Sequence, residues 1–284
     1  MTPVPPADGS VTASGASNLT LRILSAAVMA PVAVAAAYWG GWVFALFWTI
    51  AALAVLWEWV GLVAGHDHRL MVLSCGGAIV IAAILAWTDH PVVALLLMVL
   101  GALAASIFAP REQRLWIVAG IGYAGSMMLA PVTLRGEDWL GFIAIVLLFA
   151  VVWTTDVLAY FTGRAIGGPK LMPSVSPKKT WSGAVGGLIG AVAVAVLVAT
   201  VFGGLNKIAL GLLALVLSMV SQAGDLLESH IKRLFGAKDA SHLIPGHGGA
   251  MDRLDGFWAA VIVAVAIGLV RGGFDAPARG LLVW

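Results

Sequence analysis

Residues 23–57, ILSAAVMAPVAVAAAYWGGWVFALFWTIAALAVLW, decide the fold class because they contain no charged side chain. A membrane-spanning helix needs roughly 17–25 apolar residues, so this stretch is long enough for two, with Gly40-Gly41 as the turn. The whole chain is 61% hydrophobic and 11% charged, whereas soluble domains carry about 25% charged residues. The sequence therefore predicts an all-α, polytopic integral membrane protein.

Further charge-free stretches predict the remaining spans. They lie at 70–88, 91–109, 116–134, 139–161, 182–203, 208–225 and 257–274. Together with the first two, they predict about nine transmembrane helices. Residues 1–18 are rich in Pro, Ser, Gly and Ala, a composition that buries too little apolar surface to fold, and are predicted to be a disordered tail. Residues 19–138 are predicted to form membrane scaffold, and residues 139–284 a second domain with polar loops at 162–181 and 226–256.

The basic residues predict the orientation in the membrane. Twelve of the sixteen Lys and Arg residues fall in loops on the N-terminal side. The positive-inside rule therefore predicts that the N-terminus and both polar loops are cytoplasmic. Cys75 is the only cysteine and lies in a predicted span, which excludes an intramolecular disulfide and a cluster of thiolate metal ligands.

The densest polar run is DLLESHIKRLFGAKDASHLIPGHGGAMDRLD, from Asp225 to Asp255. Charges at membrane depth are costly, so residues such as Asp225 are functional candidates, although a helix end emerging into water is the alternative. The glycines after Pro245 allow close backbone approach to a ligand, and successive N–H groups can bind an anion. Followed by carboxylates, such a turn indicates a site for Mg²⁺ and a polyphosphate. His247 is either an acid/base group or a hydrogen-bonding group that shapes the turn.

The stretch SPKKTW, residues 176–181, has two interpretations. It is either a positive-inside anchor with an interfacial Trp or a cationic site for phosphates. The nearby glycines, with Arg164 and Lys170, favour the second. Asp156, inside the sixth predicted span, is either functional or part of a packing ion pair. Glu58, between two tryptophans, is predicted to be structural.

A known family shares these motifs. The pattern resembles the signature of phosphatidate cytidylyltransferases, also called CDP-diacylglycerol synthases: Ser229-x2-Lys232-Arg233-x4-Lys238-Asp239-x5-Pro245-Gly246-His247-Gly248-Gly249-x2-Asp252-Arg253-x-Asp255. The SPKKTW segment and the motifs at 156–164 and 222–226 are similar as well, in the family's order. The resemblance covers about residues 139–258. The N-terminal half matches only as a set of membrane spans.

The resemblance implies an activity and roles for individual residues. Members transfer CMP from CTP to phosphatidic acid with Mg²⁺, and some use K⁺ as a second cation. Residues 139–284 would then be the catalytic domain, with Asp225 and Asp252 as metal ligands and Lys232, Asp255 and His247 as further catalytic residues. The implied substrate-binding residues are Ser176, Lys178, Lys179, Thr180, Ser229, Arg233, Lys238, Asp239, Gly248, Gly249, Arg253 and Asp156.

The resemblance also implies the partners and the location. CTP, phosphatidic acid and membrane lipids are expected partners, whereas nucleic acid is not. A homodimer rests on resemblance alone. A bacterial inner membrane is the expected location, with the site facing the cytoplasm. One position departs from the family: Ser182 stands where an acid is common, so another group such as Asp156 must fill that role.

Two other functions compete with this interpretation. A CTP-dependent lipid kinase, or another membrane lipid nucleotidyltransferase, would need a similar site; a kinase would release CDP instead of pyrophosphate. A transporter would need broken helices and acids spread through both halves, whereas the acids here crowd at one face. A structural scaffold would not explain the glycine turn followed by Asp-Arg.

Overall fold

The computed structural model describes residues 14–64, 69–136, 138–241, 243 and 248–284. Within these residues the chain forms ten helices and one β-hairpin. The helices are α1 (Ser14–Trp39), α2 (Gly41–Ala64), α3 (Arg69–Trp87), α4 (Pro91–Phe108), α5 (Arg114–Arg135), α6 (Trp139–Ile166), α7 (Trp181–Phe202), α8 (Lys207–Leu234), α9 (Met251–Gly272) and α10 (Pro277–Leu282). The strands are β1 (Lys170–Met172) and β2 (Ser176–Thr180).

The predicted helical membrane architecture is confirmed. Six helices of the described chain are long and apolar enough to cross a bilayer: α2 and α5 to α9. Helices α1, α3 and α4 contain shorter apolar stretches, Ala27–Trp39, Met71–Trp87 and Pro91–Ile107. The predicted turn between the first two spans is confirmed at Gly40, whose φ of 65° is favourable for glycine. The total of nine spans stays a prediction.

Several boundaries differ from the sequence prediction. Helix α6 continues to Ile166, α8 continues to Leu234, and α9 begins at Met251, so the loops predicted at 162–181 and 226–256 are shorter. Hydropathy places a span end where charges begin, but the buried contacts of Glu228, Lys232 and Asp252 lie in the added turns of α8 and α9. Within the first of these loops lies the hairpin, an antiparallel pair with Lys170 opposite Thr180, which departs from the purely α-helical prediction. At the N-terminus, α1 begins at Ser14, inside the tail predicted at residues 1–18. Residues 1–13 lie outside the described residues.

Local sequence explains where three of the long helices start. The Asp138 carboxylate accepts from the N–H of Gly141 at 2.8 Å and caps α6. The Thr180 hydroxyl accepts from Gly183 at 3.1 Å and caps α7, and Asn206 caps α8 in the same way. Such caps satisfy N–H groups that lack partners in the first helical turn.

The N-terminal helices and the second half share one core. Helix α2 packs on α3 and α5, while α7 packs on α6 and α8, and α8 on α9; α9 also contacts α2 and α5. Aromatic rings connect the halves. Trp48 of α2 stacks on Phe257 of α9 with ring centroids 4.7 Å apart. Tyr123 of α5 stacks on Trp258 at 4.2 Å. The first turns of α9 are therefore fixed by contacts with both halves.

The two ends of the bundle differ in their polar content. At one end, buried Arg135 donates to backbone oxygens of Ala37 at 2.6 Å and Asp138 at 3.1 Å, joining α1 to the α5–α6 turn. At the other end lie the C-terminal ends of α6 and α8, the hairpin and the start of α9. Most of the predicted site residues belong to this second end.

Candidate active site

A cavity of about 730 Å³ opens between α6, the hairpin, α7 and α8. Its size is in the range of small-molecule sites, which typically measure about 300–1,000 Å³. The charged side chains that line it are Asp156, Arg164, Lys170, Lys178, Lys179, Asp225 and Arg253. Six sequence-predicted residues therefore lie on one cavity: Asp156, Lys178, Lys179, Thr180, Asp225 and Arg253.

The charge balance of this cavity favours an anion. Its lining has five basic and two acidic side chains. A cleft lined mainly by one sign of charge concentrates ligands of the opposite sign. Lysine and arginine also form charge-assisted hydrogen bonds with phosphate oxygens. The cavity is thus suited to a polyphosphate.

Lys179 and Asp225 form an ion pair on the wall of the cavity. Lys179 Nζ lies 2.5 Å from Asp225 Oδ2, and the two side chains are 28% and 31% exposed. The Ser229 hydroxyl lies 3.4 Å from the other oxygen, Oδ1. Both side chains line the cavity and are partly exposed, whereas the Lys179 Nζ atom itself is buried. A ligand therefore reaches this ammonium group only by displacing part of the pair.

Gly224 explains why Asp225 lies close to α9. A Cβ atom at position 224 would lie 2.8 Å from the backbone oxygen of Asp255 and 2.5 Å from the Ala259 side chain, so a larger residue would separate α8 from α9. The close packing brings Asp225 within electrostatic range of Asp255. Asp255 accepts from the N–H of Gly256 at 2.7 Å and also interacts electrostatically with Asp156. Carboxylates from three helices thus lie within electrostatic range of one another.

A second polar group, behind the cavity, is almost fully buried. Lys232 Nζ lies 2.7 Å from Glu228 Oε2 and also donates to Asp252 Oδ1. The Glu228 side chain is 1% exposed and that of Lys232 is 10% exposed. Asp252 Oδ2 accepts from the backbone N–H groups of Ala240 at 3.1 Å and Gly249 at 2.8 Å. We call Glu228, Lys232 and Asp252 the buried triad.

Some of the predicted residues of the hairpin line the cavity, and others do not. Lys178 and Lys179 line the cavity, as does Thr180, which also caps α7. Ser176 is half-buried opposite Met172 and does not line the cavity. The hydroxyl of Ser182, the residue that departs from the family pattern, donates to the backbone oxygen of Gly167. Position 182 thus joins the end of α6 to the start of α7.

The remaining predicted residues lie elsewhere. Arg233, Lys238 and Asp239 are exposed and are not among the residues that line the cavity. Gly248 and Gly249 lie beside the Asp252 carboxylate. His247 falls outside the described residues, so its two interpretations stay open.

The sequence analysis missed several residues that contribute to this end of the molecule. Tyr160 and Gln222 line the cavity, where the Tyr160 hydroxyl accepts from Arg164 at 3.0 Å. Arg164 and Lys170 served as supporting evidence in the sequence and are part of the lining. Glu228 was not among the predicted site residues, and its spacing of four from Lys232 is the signal that identifies the pair.

Comparison with known proteins identifies the family of this chain. The sequence profile of the Cytidylyltransferase family matches residues 20–270. The chain belongs to the cytidylyltransferase family. The resemblance inferred from the signature is therefore confirmed, and membership extends into the N-terminal half, where no motif was recognised.

Curated relatives of this family member cover nearly its whole length. A phosphatidate cytidylyltransferase of Brucella suis biovar 1 (strain 1330) is 42% identical over 262 residues, which are 92% of this chain and 97% of that protein. The phosphatidate cytidylyltransferase of Brucella melitensis biotype 1 has the same identity and coverage. That of Rickettsia typhi is 30% identical over 245 residues, 84% of this chain and 86% of the relative.

The donor atoms of the site are suited to a hard cation. In the described part of the chain, no three His, Cys, Asp or Glu side chains form a ready metal-binding group. However, Mg²⁺ usually takes one or two carboxylates and completes its shell with phosphate oxygens and water. Asp225 lines the cavity and is one carboxylate that fits this requirement.

Proposed function

We propose that this protein transfers CMP from CTP to phosphatidic acid, forming CDP-diacylglycerol and pyrophosphate. The observation that carries the proposal is the cavity with five basic side chains at the polar end of an apolar helical bundle. A polyphosphate nucleotide requires the charge, and a lipid substrate requires a site close to the membrane. The family membership and the names of the relatives support the same reaction.

The reaction joins two anions, which repel each other, and the basic residues of the cavity reduce this repulsion. An oxygen of the phosphatidate phosphate forms a bond to the α-phosphorus of CTP, while the bond from that phosphorus to the bridging oxygen of pyrophosphate breaks. The nucleophile is already an anion, so a strong general base is unnecessary. Lysine and arginine side chains reduce the repulsion and stabilise the charge on the transferring phosphorus.

The cavity residues have distinct proposed roles. Arg164 and Lys178, from α6 and the hairpin, bind phosphate oxygens of the nucleotide. Lys179 binds a phosphate while its contact with Asp225 fixes its position. Arg253 lines the same cavity from the start of α9 and is a further donor to the phosphates. This arrangement surrounds the reacting phosphorus with donors from three elements.

Mg²⁺, when bound, supplies further neutralisation of the phosphate oxygens. Asp225 and Asp252 are the ligands that the resemblance implies. Asp252 directs one oxygen to Lys232 and the other to two backbone N–H groups. It would therefore reach a cation only after giving up one of these contacts, whereas Asp225 already faces the cavity.

The finer assignments belong to the same proposal. We infer nine spans, in which α1, α3 and α4 cross the membrane with the six longer helices. The N-terminus and the cavity then lie on the cytoplasmic side of a bacterial inner membrane. K⁺ as a second cation and a homodimer follow from the family resemblance. Nucleic acid remains an unexpected partner.

Phosphate-specific labelling tests the reaction. The purified protein in detergent is given phosphatidic acid, Mg²⁺ and CTP labelled at either the α- or the γ-phosphate. The proposal predicts α-label in the lipid and γ-label in released pyrophosphate, with no lipid label when phosphatidic acid is omitted. Transfer of γ-label to lipid with release of CDP would show a kinase and overturn the proposal. Absence of labelled lipid beside an active relative would overturn it as well.

A further inference from the structure

Glu58 is the one charged residue of α2, and it is buried at the end of the bundle that contains the cavity. Its helix, Gly41–Ala64, is otherwise apolar or uncharged. The residue is 2% exposed. A buried carboxylate is costly unless donors surround it, so its partners show why it lies there.

Among the described residues, the hydrogen-bond donors to Glu58 belong to the segment that leads into α9. Oε1 accepts from the Ser241 hydroxyl at 2.6 Å and from the Ala250 N–H at 2.8 Å. Oε2 accepts from the Met251 N–H at 2.7 Å. These three donors lie before and after the glycine turn of the signature. The α2 carboxylate therefore joins the two ends of that segment.

Glu58 also supplies a helix cap that the local sequence lacks. Ala250 occupies the N-cap position of α9 and has no side-chain oxygen to accept from the first N–H groups. The carboxylate of Glu58 accepts from two of these groups from a position 192 residues earlier in the chain. A negative charge at a helix N-terminus also interacts favourably with the helix dipole. The start of α9 at Met251 thus depends on α2.

Gly249 is the glycine that permits this contact. A Cβ atom at position 249 would lie 2.7–2.8 Å from all three carboxyl atoms of Glu58. Any larger residue would displace the carboxylate or the turn. The N–H of the same Gly249 donates to Asp252, so one residue contacts the α2 acid and bonds to the buried triad.

We propose that Glu58 is a positioning residue for the proposed cytidylyl transfer: it sets the start of α9 and thereby the placement of Arg253 and Asp255. It does not touch substrate and acts through Ala250, Met251 and the Gly249 turn. This inference rests on the proposed function, because it concerns the same site. The scaffold half of the chain then contributes directly to the geometry of the catalytic half.

A double-mutant cycle tests the positioning role. The variants are Glu58→Gln, Gly249→Ala and the double mutant, with Thr49→Val as a matched control. Thr49 is another buried polar residue of α2, and its hydroxyl donates to Ala45 within the same helix. Turnover is measured by release of pyrophosphate per folded molecule, with KM for CTP and the unfolding midpoint measured in parallel.

The expected pattern separates positioning from simple stabilisation. Residues that orient a site through other ligands typically change activity about 10–100-fold when replaced, and we expect kcat of Glu58→Gln to fall by that factor. The KM for CTP should stay within about 3-fold, because Arg164, Lys178 and Lys179 lie on other elements. The double mutant should be no slower than the worse single mutant, since both changes break one contact. Thr49→Val should keep the wild-type kcat.

Two outcomes would overturn the proposal. One is a kcat of Glu58→Gln per folded molecule within about 3-fold of wild type. The other is multiplicative loss in the double mutant, which would show that the two residues act independently. If Glu58→Gln does not fold, Ser241→Ala removes one of the three contacts, and an unchanged kcat in that variant would count against the proposal. Wild-type protein that forms no CDP-diacylglycerol would instead contradict the proposed function itself.

Discussion

Two lysine–aspartate pairs occupy the same end of the bundle and differ in their surroundings. Lys179 and Asp225 face the cavity and are about one-third exposed, whereas Lys232 and Asp252 lie in the buried triad. Exposed ion pairs contribute little to stability, while removing one partner of a buried pair is strongly destabilising. The comparison indicates that the first pair serves ligand binding and the second fixes the structure around it.

Removal of Asp225 should have the largest effect on activity. We expect Asp225→Ala to lose about 1,000-fold or more in turnover, because it removes a cavity-facing carboxylate and frees Lys179. The unfolding midpoint should change less than for a change in the buried triad, since both side chains of the pair are partly exposed. The phosphate-labelling assay and a thermal unfolding curve measure both quantities. Near-normal turnover of Asp225→Ala would show that the Lys179–Asp225 pair does not serve the reaction. It would then not differ in function from the Lys232–Asp252 pair.

Removal of Asp252 should affect stability as well. Asp252→Ala leaves the N–H groups of Ala240 and Gly249 without an acceptor and weakens the pairing of Lys232. Unsatisfied buried groups cost about 1–3 kcal/mol each, so we expect a loss of about 3 kcal/mol in the free energy of unfolding. Chemical denaturation in detergent, with Asp225→Ala alongside, measures the difference. Equal free energies of unfolding for Asp252→Ala and Asp225→Ala would contradict the proposed difference between the buried pair and the cavity-facing pair.

Removal of Arg164 should weaken substrate binding without affecting the fold. Arg164 lines the cavity, and its recorded contact is with the neighbouring Tyr160 hydroxyl. A charge-assisted hydrogen bond contributes about 1.5–3 kcal/mol, so the KM of Arg164→Ala for CTP should rise about 10-fold or more. Steady-state kinetics provide the test, and Arg111→Ala, which is exposed, outside the cavity lining and not a predicted site residue, is the matched control. An equal rise in both variants would show a general charge effect.

Ser182→Ala should have the smallest effect. The change removes one hydrogen bond to the backbone of Gly167, and a neutral hydrogen bond contributes about 1 kcal/mol. We expect turnover within about 5-fold of wild type and a small decrease in the unfolding midpoint. A loss comparable to that of Asp225→Ala would show that position 182 retains the role of the acid common in the family.

The sequence was informative about the cavity and less so about the buried triad. Lys178, Lys179, Asp225 and Arg253 are part of recognisable motifs, and each lines the cavity. Motif spacing does not distinguish Lys179 from Lys232, because burial depends on how α8 packs against α9. Hydropathy ended the eighth span at Asp225, yet α8 continues to Leu234. The pairing of Glu228 with Lys232 lets that polar turn be buried.

The contribution of Glu58 was beyond the reach of sequence alone. Its partners lie more than 180 residues away, and they include backbone N–H groups, which leave no side-chain pattern. The hairpin at 170–180 was missed for a related reason: its short strands have no alternating apolar pattern. Both features become visible only once the helices are packed together.

Paired measurements on Lys179→Met and Lys232→Met test the distinction between the two pairs most directly. Both changes remove one ammonium group and keep a long apolar side chain. We predict that Lys179→Met keeps the wild-type unfolding midpoint and loses turnover, whereas Lys232→Met loses several degrees of midpoint, because Glu228 and Asp252 remain buried without their counter-charge. Equal midpoints in the two variants, or full turnover in Lys179→Met, would contradict the division into a binding cavity and a buried triad.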